Sequence, residues 1–128
     1  LRLFLEAHDA LTADGLADQV GWQNISHVSG AVEMNPRKQL LLRATMHDWS
    51  LAQARDGLYA ASGALVFRDT TGQSGRHVGE EADLVAQYNW GPRYVGGGYG
   101  HLWAGGFLHA RSPGAGLNYL YLNVGYKF

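Results

Sequence analysis

The ten residues 81–90, EADLVAQYNW, decide the fold class because apolar side chains recur there at every second position. One face carries Ala82, Leu84, Ala86, Tyr88 and Trp90, and the other carries Glu81, Asp83, Val85, Gln87 and Asn89. Successive side chains of a strand point to opposite faces, so a period of two over this length is typical of a half-buried β-strand. The stretch is therefore predicted to be a strand with one apolar face.

Five further segments show the same alternation: 1–9, 27–35, 39–48, 94–103 and 118–128. The segment 94–103 is rich in glycine, which makes a helix there unfavourable. No segment shows a convincing helical stripe. The sequence thus predicts an all-β chain of six antiparallel strands, with residues 1–128 forming a single segment of one domain.

The connections between these segments alternate between short and long. Residues 35–38 and 91–93 form short turns that contain proline, whereas 10–26, 49–80 and 105–117 are long. Short turns at one end and long loops at the other are characteristic of a transmembrane β-barrel. The longest connection, 49–80, contains the apolar stretches 57–61 and 63–67, which leaves an extra strand or an inward-lying segment open.

Strand length and the position of aromatic residues also favour a membrane barrel. Each segment has about the 9–11 residues that cross a bilayer at a tilt. The aromatic side chains expected to form an interfacial girdle near the short turns are Tyr88, Trp90, Tyr94, Tyr126 and Phe128. Because a membrane barrel usually needs about eight strands or more, we expect these six to be the C-terminal strands of a larger barrel. Its missing N-terminal strands and the outer-membrane lipid would then be the partners of this chain.

Composition excludes several classes of protein. The 128 residues carry a formal net charge of −1, which argues against a nucleic-acid binder. The chain contains no cysteine, so disulfide scaffolds and thiolate metal sites are excluded. No apolar run is long enough for a transmembrane helix.

The polar faces of the predicted strands supply the candidate functional residues. In a barrel these side chains line the lumen, where they offer a solute hydrogen bonds and countercharge. The predicted pore-lining residues are Arg2, Glu6, Glu33, Arg43, Glu81, Asp83, Gln87, Asn123 and Lys127. Neither sign of charge dominates among them. Most other basic residues lie in the connections, with Arg55, Arg68, Arg76 and Arg111 on the long-loop side.

The C-terminal strand resembles the closing strand of bacterial outer-membrane proteins. Phe128 ends the chain, and Val124 and Tyr126 precede it at alternate positions. In such proteins the barrel-assembly machinery recognises this signature, so the resemblance implies that Val124, Tyr126 and Phe128 act as an assembly signal.

Three blocks of sequence are similar to the C-terminal part of the alginate export family of outer-membrane porins. They are residues 22–24; residues 47–52 leading to 56–59; and residues 78–84 followed by 98–107. The resemblance implies a barrel of about eighteen strands in the outer membrane of a Gram-negative bacterium. It also implies passive export or diffusion of an anionic polysaccharide such as alginate, with no catalysis and no cofactor. The balanced charge of the polar face departs from the strongly electropositive pore of the family's alginate exporter.

Two other functions remain open at this point. A soluble antiparallel β module could bind carbohydrate through Trp22, Trp49, Trp103 and the tyrosines, and would then bury the apolar strand faces in a core. An outer-membrane barrel enzyme would need one of Ser26, Ser29 or Ser50 placed beside His27 or His47.

Local metal motifs are absent from the sequence, because none of the six histidines pair at i, i+2 or i, i+4. The predicted strands could still bring His27 and His47 together on the polar face. Glu80, Glu81 and Asp83 form an acidic cluster, which we interpret as a solvated strand end, a partner for Arg43 or Arg76, or a cation site.

Overall fold

The computed structural model describes residues 1–9, 23–114 and 116–128. Six long strands form one antiparallel sheet, and they are β1 Arg2–Asp9, β2 Ile25–Arg37, β3 Leu40–Leu51, β6 His77–Trp90, β7 Arg93–Ala104 and β8 Gly116–Tyr126. Two short strands, β4 Gly57–Tyr59 and β5 Leu65–Arg68, form a separate hairpin, and helix α1 spans Gly106–Arg111. The order across the sheet is β1-β2-β3-β6-β7-β8.

The prediction of six antiparallel strands is confirmed, with β1 and β8 at the two open edges of the sheet. Strands β2, β3 and β6 extend two to four residues beyond their predicted bounds toward the long connections. The first long connection, 10–26, falls almost wholly outside the described residues. Among the described residues, no helix is long and apolar enough to cross a membrane.

Both short turns lie at the same end of the sheet. Lys38 and Gln39 join β2 to β3, and Gly91 and Pro92 join β6 to β7. Gly91 has a φ of 58°, a left-handed conformation that favours glycine. The predicted turn at 35–38 lies three residues too early, because Asn35 and Pro36 sit in a register shift inside β2 instead of in the turn. Prolines are tolerated at such bulges because they lack the N–H that a regular ladder uses.

Exposure of the two sheet faces is the reverse of that in a soluble protein. On one face, called here the outer face, Leu120, Leu122 and Val124 are 72%, 82% and 80% exposed. On the opposite face, called the polar face, Glu81 and Asp83 are only 3% and 4% exposed. A soluble β module would bury the leucines and expose the carboxylates. The soluble alternative does not fit this arrangement, whereas a barrel that faces lipid on its outside does.

The long connections on the described part of the chain fold back over the polar face. The β4–β5 hairpin and α1 contribute Leu58 and Phe107 to a buried apolar cluster. The sheet contributes its loop-side residues to the same cluster, namely Ile25, Trp49, Leu51, Val78 and Leu102. We call residues 52–76 and 105–114 the cap, because they cover the polar face at its loop-side end. The inward-lying segment left open for connection 49–80 is therefore present, together with a short helix that the sequence pattern did not predict.

Candidate functional site

The backbone register gathers the predicted pore-lining residues on the polar face. Arg2 lies opposite Glu33, which lies opposite Arg43 on the next strand. One row further toward the loops, Asp83 lies opposite Thr45. The remaining strand residues of the predicted set also lie opposite polar-face positions of the neighbouring strand: Glu6 opposite Ser29, Glu81 opposite His47, and both Gln87 and Asn123 opposite Gly96. Lys127 follows the end of β8, with its ammonium group 5.9 Å from the centroid of the Tyr94 ring.

The acidic cluster of residues 80–83 is divided between the two faces of β6. Glu81 and Asp83 are buried on the polar face, whereas Glu80 is exposed on the outer face. The cluster is therefore not one cation site, because alternate residues of a strand point in opposite directions. The Nε of Arg76 donates to the carbonyl oxygen of Leu51 at 2.7 Å, so this arginine holds the end of β3.

The polar face contains a hydrogen-bonded chain of His27, His47 and Asp83, one residue from each of three adjacent strands. The Nε2 of His27 lies 2.8 Å from the Nδ1 of His47, and the Nε2 of His47 lies 3.2 Å from Oδ2 of Asp83. His27 and His47 are 1% and 5% exposed. The predicted proximity of the two histidines is thus confirmed, and we call these three residues the histidine chain.

The histidine chain is connected to the apolar cluster beneath the cap by Trp49. The indole ring stacks on His27 with centroids 3.9 Å apart and planes 15° apart. Trp49 also belongs to the buried cluster that contains Leu58 of the hairpin and Phe107 of α1. The sequence singled out Trp49 only as a sugar-binding candidate, and its 2% exposure shows that it is a packing residue.

The base of the hairpin is fixed by polar contacts. Asn24 donates from Nδ2 to the carbonyl oxygens of Gln53 and Gly57, and its Oδ1 accepts from the N–H of Gln53. Asp56 accepts hydrogen bonds from the Gly57 N–H, the Tyr59 hydroxyl and the Arg68 guanidinium. These three donors, the backbone N–H foremost, hold the pKa of the Asp56 carboxyl below its usual range.

A second carboxylate organises the loop that follows β5. Asp69 accepts hydrogen bonds from the hydroxyl and the N–H of both Thr71 and Ser74. The side-chain donors Thr71 and Ser74 are the main cause that lowers the pKa of Asp69, and the backbone N–H groups add to it. The hydrogen bonds of Asp69 therefore join the start of the loop to Thr71 and Ser74, and the loop then leads into β6.

The cap carries an excess of positive charge. It contains four arginines, Arg55, Arg68, Arg76 and Arg111, against two aspartates, Asp56 and Asp69. Arg68 pairs with Asp56 at 2.9 Å, and Arg111 lies 5.8 Å from the centroid of Phe67. Residues 52–76 and 105–114 therefore carry a formal charge of +2 with histidine neutral, although the strands themselves are balanced.

Of the five aromatic residues predicted to form a girdle, four lie on the outer face near the short turns. Tyr88, Trp90 and Tyr126 are about half exposed there, and Phe128 is fully exposed. Tyr94 is the exception, because its register places it opposite Asn89 and Gly125 on the polar face. Its ring covers Gly125 so closely that it occupies the space of a Cβ at that position. Tyr94 thus lies near the short turns as predicted, but on the polar face and not on the outer face that a girdle needs.

Of the three serines offered for an enzyme, Ser29 is the one that the register places opposite a histidine, His47. Both ring nitrogens of His47 are already engaged, one by His27 and the other by Asp83. His47 therefore has no lone pair available to accept a proton from the Ser29 hydroxyl.

The outer face carries a small polar region at its loop-side end. Asp48 and His77 approach to 3.7 Å, and Glu80 lies beside them. Nearby, Asn118 Oδ1 accepts a 2.6 Å hydrogen bond from the Tyr99 hydroxyl and lies 2.7 Å from Nδ1 of His101. Polar groups and aromatic rings at the end of an apolar band are typical of the depth at which lipid headgroups begin.

Comparison with known proteins identifies one related family. A family model described as alginate export matches residues 2–121. No curated protein and no solved structure matches the chain. The matched region includes the six strands up to the middle of β8, the cap and the histidine chain.

Proposed function

The chain belongs to the alginate export family, and on this basis we propose that it forms part of the wall of an outer-membrane channel for an anionic polysaccharide. The family is one of transport porins. Its function requires that the polysaccharide pass through a water-filled lumen, and no covalent bond has to be made or broken. The proposal assigns the polar face to the lumen and the outer face to the lipid.

The observation that carries this proposal is the reversed exposure of the two faces. Leu122 is exposed and Asp83 is buried on strands of one sheet. Transfer of an exposed leucine side chain from water to lipid is favourable by about 1.5–3 kcal/mol. Exposed leucines are therefore costly in water and stable in a bilayer, which supports a membrane location for this sheet.

Closure of the barrel requires further strands. In lipid each unpaired backbone group costs several kcal/mol, and both β1 and β8 present such groups at the edges of the sheet. We propose that these edges pair with other strands of a larger barrel, of about eighteen strands as the family resemblance implies. The apolar C-terminal strand with Val124, Tyr126 and Phe128 would be the part recognised during barrel assembly.

The polar face suits a hydrated sugar chain because it offers donors and acceptors in regular rows. The exposed Arg2, Arg43 and Lys127 supply positive groups and the half-buried Glu33 supplies a negative one, whereas Glu81 and Asp83 are buried. The excess of arginine in the cap would attract a polyanion to the loop-side mouth, since a field of one sign raises the local concentration of the opposite charge. The strand residues would then conduct it by hydrogen bonding.

The test is ion conductance of the complete barrel that contains this chain, reconstituted in a planar bilayer. We expect open channels whose current is blocked by alginate oligomers and much less by neutral dextran of equal length. Blocking should weaken as ionic strength rises, because salt screens the charge of the mouth. A folded barrel without conductance, or equal blocking by both polymers, would contradict the proposal.

A further inference from the structure

The outer face carries a group of three metal-binding side chains at its loop-side end, namely Asp48 of β3 and both His77 and Glu80 of β6. One ligand atom from each of them lies within 4.8 Å of the other two. We propose that these residues form a binding site for Zn²⁺ that joins β3 to β6, and we call it the outer metal site. It is independent of transport, because it uses none of the predicted pore-lining residues.

A β-bulge in β6 brings His77 to the outer face. The register shifts after Trp49, and Val78 is left as an extra residue between the paired positions. Beyond the shift, His77 lies opposite Ser50. In regular pairing Val78 would point to the outer face and His77 to the polar face, because side chains alternate along a strand. Val78 is instead fully buried in the apolar cluster, and His77 lies on the same side as Asp48. Bulges commonly redirect a side chain in this way.

Contact with the start of the 105–114 segment fixes the orientation of the His77 ring. The N–H of Gly105 donates to the carbonyl oxygen of Val78 at 2.7 Å, which holds the bulge. A Cβ at position 105 would collide with Nδ1 of His77, so the ring lies directly on this glycine. The other ring nitrogen, Nε2, lies 3.7 Å from Oδ2 of Asp48. The ring therefore presents Nε2 to the carboxylate, as a metal ligand must.

The two carboxylates of the outer metal site face each other across the strands. Asp48 lies directly opposite Glu80, and like charges at opposite positions of neighbouring strands destabilise a sheet. In the described part of the chain, no lysine or arginine forms an ion pair with either carboxylate. His77 can offset at most one of the two charges, and its 3.7 Å separation from Asp48 is too long for a hydrogen bond. A divalent cation would neutralise both carboxylates.

The ligand types select zinc among the common divalent cations. Ca²⁺ and Mg²⁺ take oxygen ligands, whereas imidazole nitrogen suits Zn²⁺. Tetrahedral bonds of about 2.0–2.2 Å place the ligand atoms about 3.3–3.6 Å apart, close to the separation of His77 and Asp48. The side chain of Glu80 is exposed and can rotate its carboxylate, which already lies within 4.8 Å, to the same distance. Three protein ligands leave the fourth position to an oxygen from outside the chain.

Zinc binding to the complete barrel in detergent tests the proposal. In isothermal titration, His77→Gln and Asp48→Asn should each lose one Zn²⁺ per chain or bind it about 100-fold more weakly, since loss of even an outer-shell partner costs about 10–100-fold in metal affinity. His101→Gln is the matched control, because His101 contacts Asn118 on the same face, outside the outer metal site. It should bind as many ions as the unaltered protein. Ions bound elsewhere on the barrel cancel in this comparison.

Competition identifies the class of cation. Ca²⁺ in about 100-fold excess should leave Zn²⁺ bound to the unaltered protein, because calcium takes oxygen ligands and gains little from His77. Displacement of Zn²⁺ at this excess would contradict a site that contains the imidazole.

The proposal is overturned if either His77→Gln or Asp48→Asn binds Zn²⁺ as the unaltered protein does. Both substitutions nearly conserve side-chain size at exposed positions, and if one variant does not fold, the other decides the outcome. Anomalous diffraction at the zinc absorption edge is a second measurement, which should place an ion about 2.0–2.1 Å from Nε2 of His77. Zinc bound only at other places would contradict the outer metal site. A barrel that binds this ion but conducts no current would contradict the channel alone.

Discussion

Leu84 and Val85 are neighbours in β6, yet Leu84 is 59% exposed on the outer face while Val85 is half-buried on the polar face. Leu84 lies between Ala44 on β3 and Tyr99 on β7, at the middle of the apolar band. Val85 lies between Arg43 and Gly98 on the opposite side of the same strands.

This opposition predicts different costs for the same substitution. If the outer face meets lipid as proposed, Leu84→Arg places a charge near the bilayer midplane and should reduce the free energy of unfolding by about 2–4 kcal/mol. Val85→Arg should cost much less, because its side chain would enter the proposed water-filled lumen. Urea unfolding in lipid vesicles measures both. Cysteines at the same positions add a direct check: position 85 should react with an aqueous thiol reagent and position 84 only with a lipid-soluble one. Equal aqueous labelling would show that the assigned faces are wrong.

The contact of Tyr94 with Gly125 predicts a second effect on stability. A methyl group at position 125 would occupy the space of the tyrosine ring, so Gly125→Ala should destabilise the fold by about 1–3 kcal/mol. Tyr94→Ala in the same protein should recover part of that loss, because the ring that causes the conflict is gone. A double-mutant cycle measures the coupling, and additive effects would contradict the contact. Gly106→Ala is a control for the loss of a glycine without such a contact, since an added Cβ there would meet only the Ser74 carbonyl oxygen at 3.9 Å and the backbone is not left-handed.

The cap should depend on Phe107 more than on any exposed residue of the hairpin. Phe107 is fully buried, and its truncation to alanine is expected to weaken cap packing by about 3–5 kcal/mol. Trypsin should then cleave after Arg55 or Arg68 at a higher rate, since Arg55 lies just before the hairpin and Arg68 is its last residue. Val66→Ala, on the exposed side of β5, is the matched control. Unchanged cleavage in Phe107→Ala would mean that α1 does not hold the hairpin.

The loop at Asp69 should be insensitive to pH between about pH 8 and about pH 5. Its hydrogen bonds to Thr71 and Ser74 lower the pKa of Asp69, so the ionised form stabilises the folded loop. That contribution is complete above the unfolded value of about 3.9 and is lost only as pH falls through the lowered folded value. Amide exchange of residues 69–74 should therefore be equally protected at about pH 8 and about pH 5 once corrected for intrinsic rates.

Asp69→Asn provides the comparison at neutral pH. The neutral amide has one acceptor oxygen in place of two charged ones, so it cannot accept all four hydrogen bonds of Asp69. Protection of the loop against amide exchange should therefore fall. Thr70→Ala should leave this protection unchanged. Loss of protection in the unaltered protein between pH 8 and pH 5 would show that another group controls this loop.

The arginines of the cap predict the salt dependence of polyanion entry. Arg55→Gln combined with Arg111→Gln should raise the alginate concentration for half-maximal block by about tenfold at low salt, because the attracting field is weakened. The difference should largely vanish at about 1 M salt, where the screening length is about 3 Å. Arg93→Gln, at the short-turn end, serves as the control. An equal effect of Arg93→Gln would place the entry site at the other end of the barrel.

The six long strands could be predicted because their alternation is a property of the chain itself. Residues 81–90 specify both faces of β6 without reference to any neighbour. The proximity of His27 and His47 followed from the same argument, because two strands joined by a short turn must pair. The face of Tyr94 did not follow, since a residue beside a turn has no alternation on its far side to set its phase.

The cap could not be predicted in detail, because its elements are too short to be stable alone. Helix α1 has six residues, and isolated helices shorter than about 12–15 residues are marginal in water. The hairpin strands are equally short, and they form because Leu58 and Phe67 pack against α1 and the sheet. The only signal in the sequence was the recurrence of apolar residues at 57–61 and 63–67 inside a long connection. The direction of that connection, inward over the polar face, depends on tertiary contacts.

The reversed exposure of the sheet has a consequence for how the protein tolerates amino-acid replacement. On the outer face, the exposed Leu120, Leu122 and Val124 would need only to be apolar, because in the proposed membrane location fluid lipid surrounds them and does not have to match their shape. On the polar face, His47 contacts His27 and Asp83, and Trp49 stacks on His27, so even a conservative replacement changes a specific contact. Saturation mutagenesis would therefore divide each strand into alternating permissive and restricted positions. The usual expectation that solvent-exposed sites are variable and chemically unrestricted would fail here, because exposed positions would vary freely in size and hardly at all in polarity.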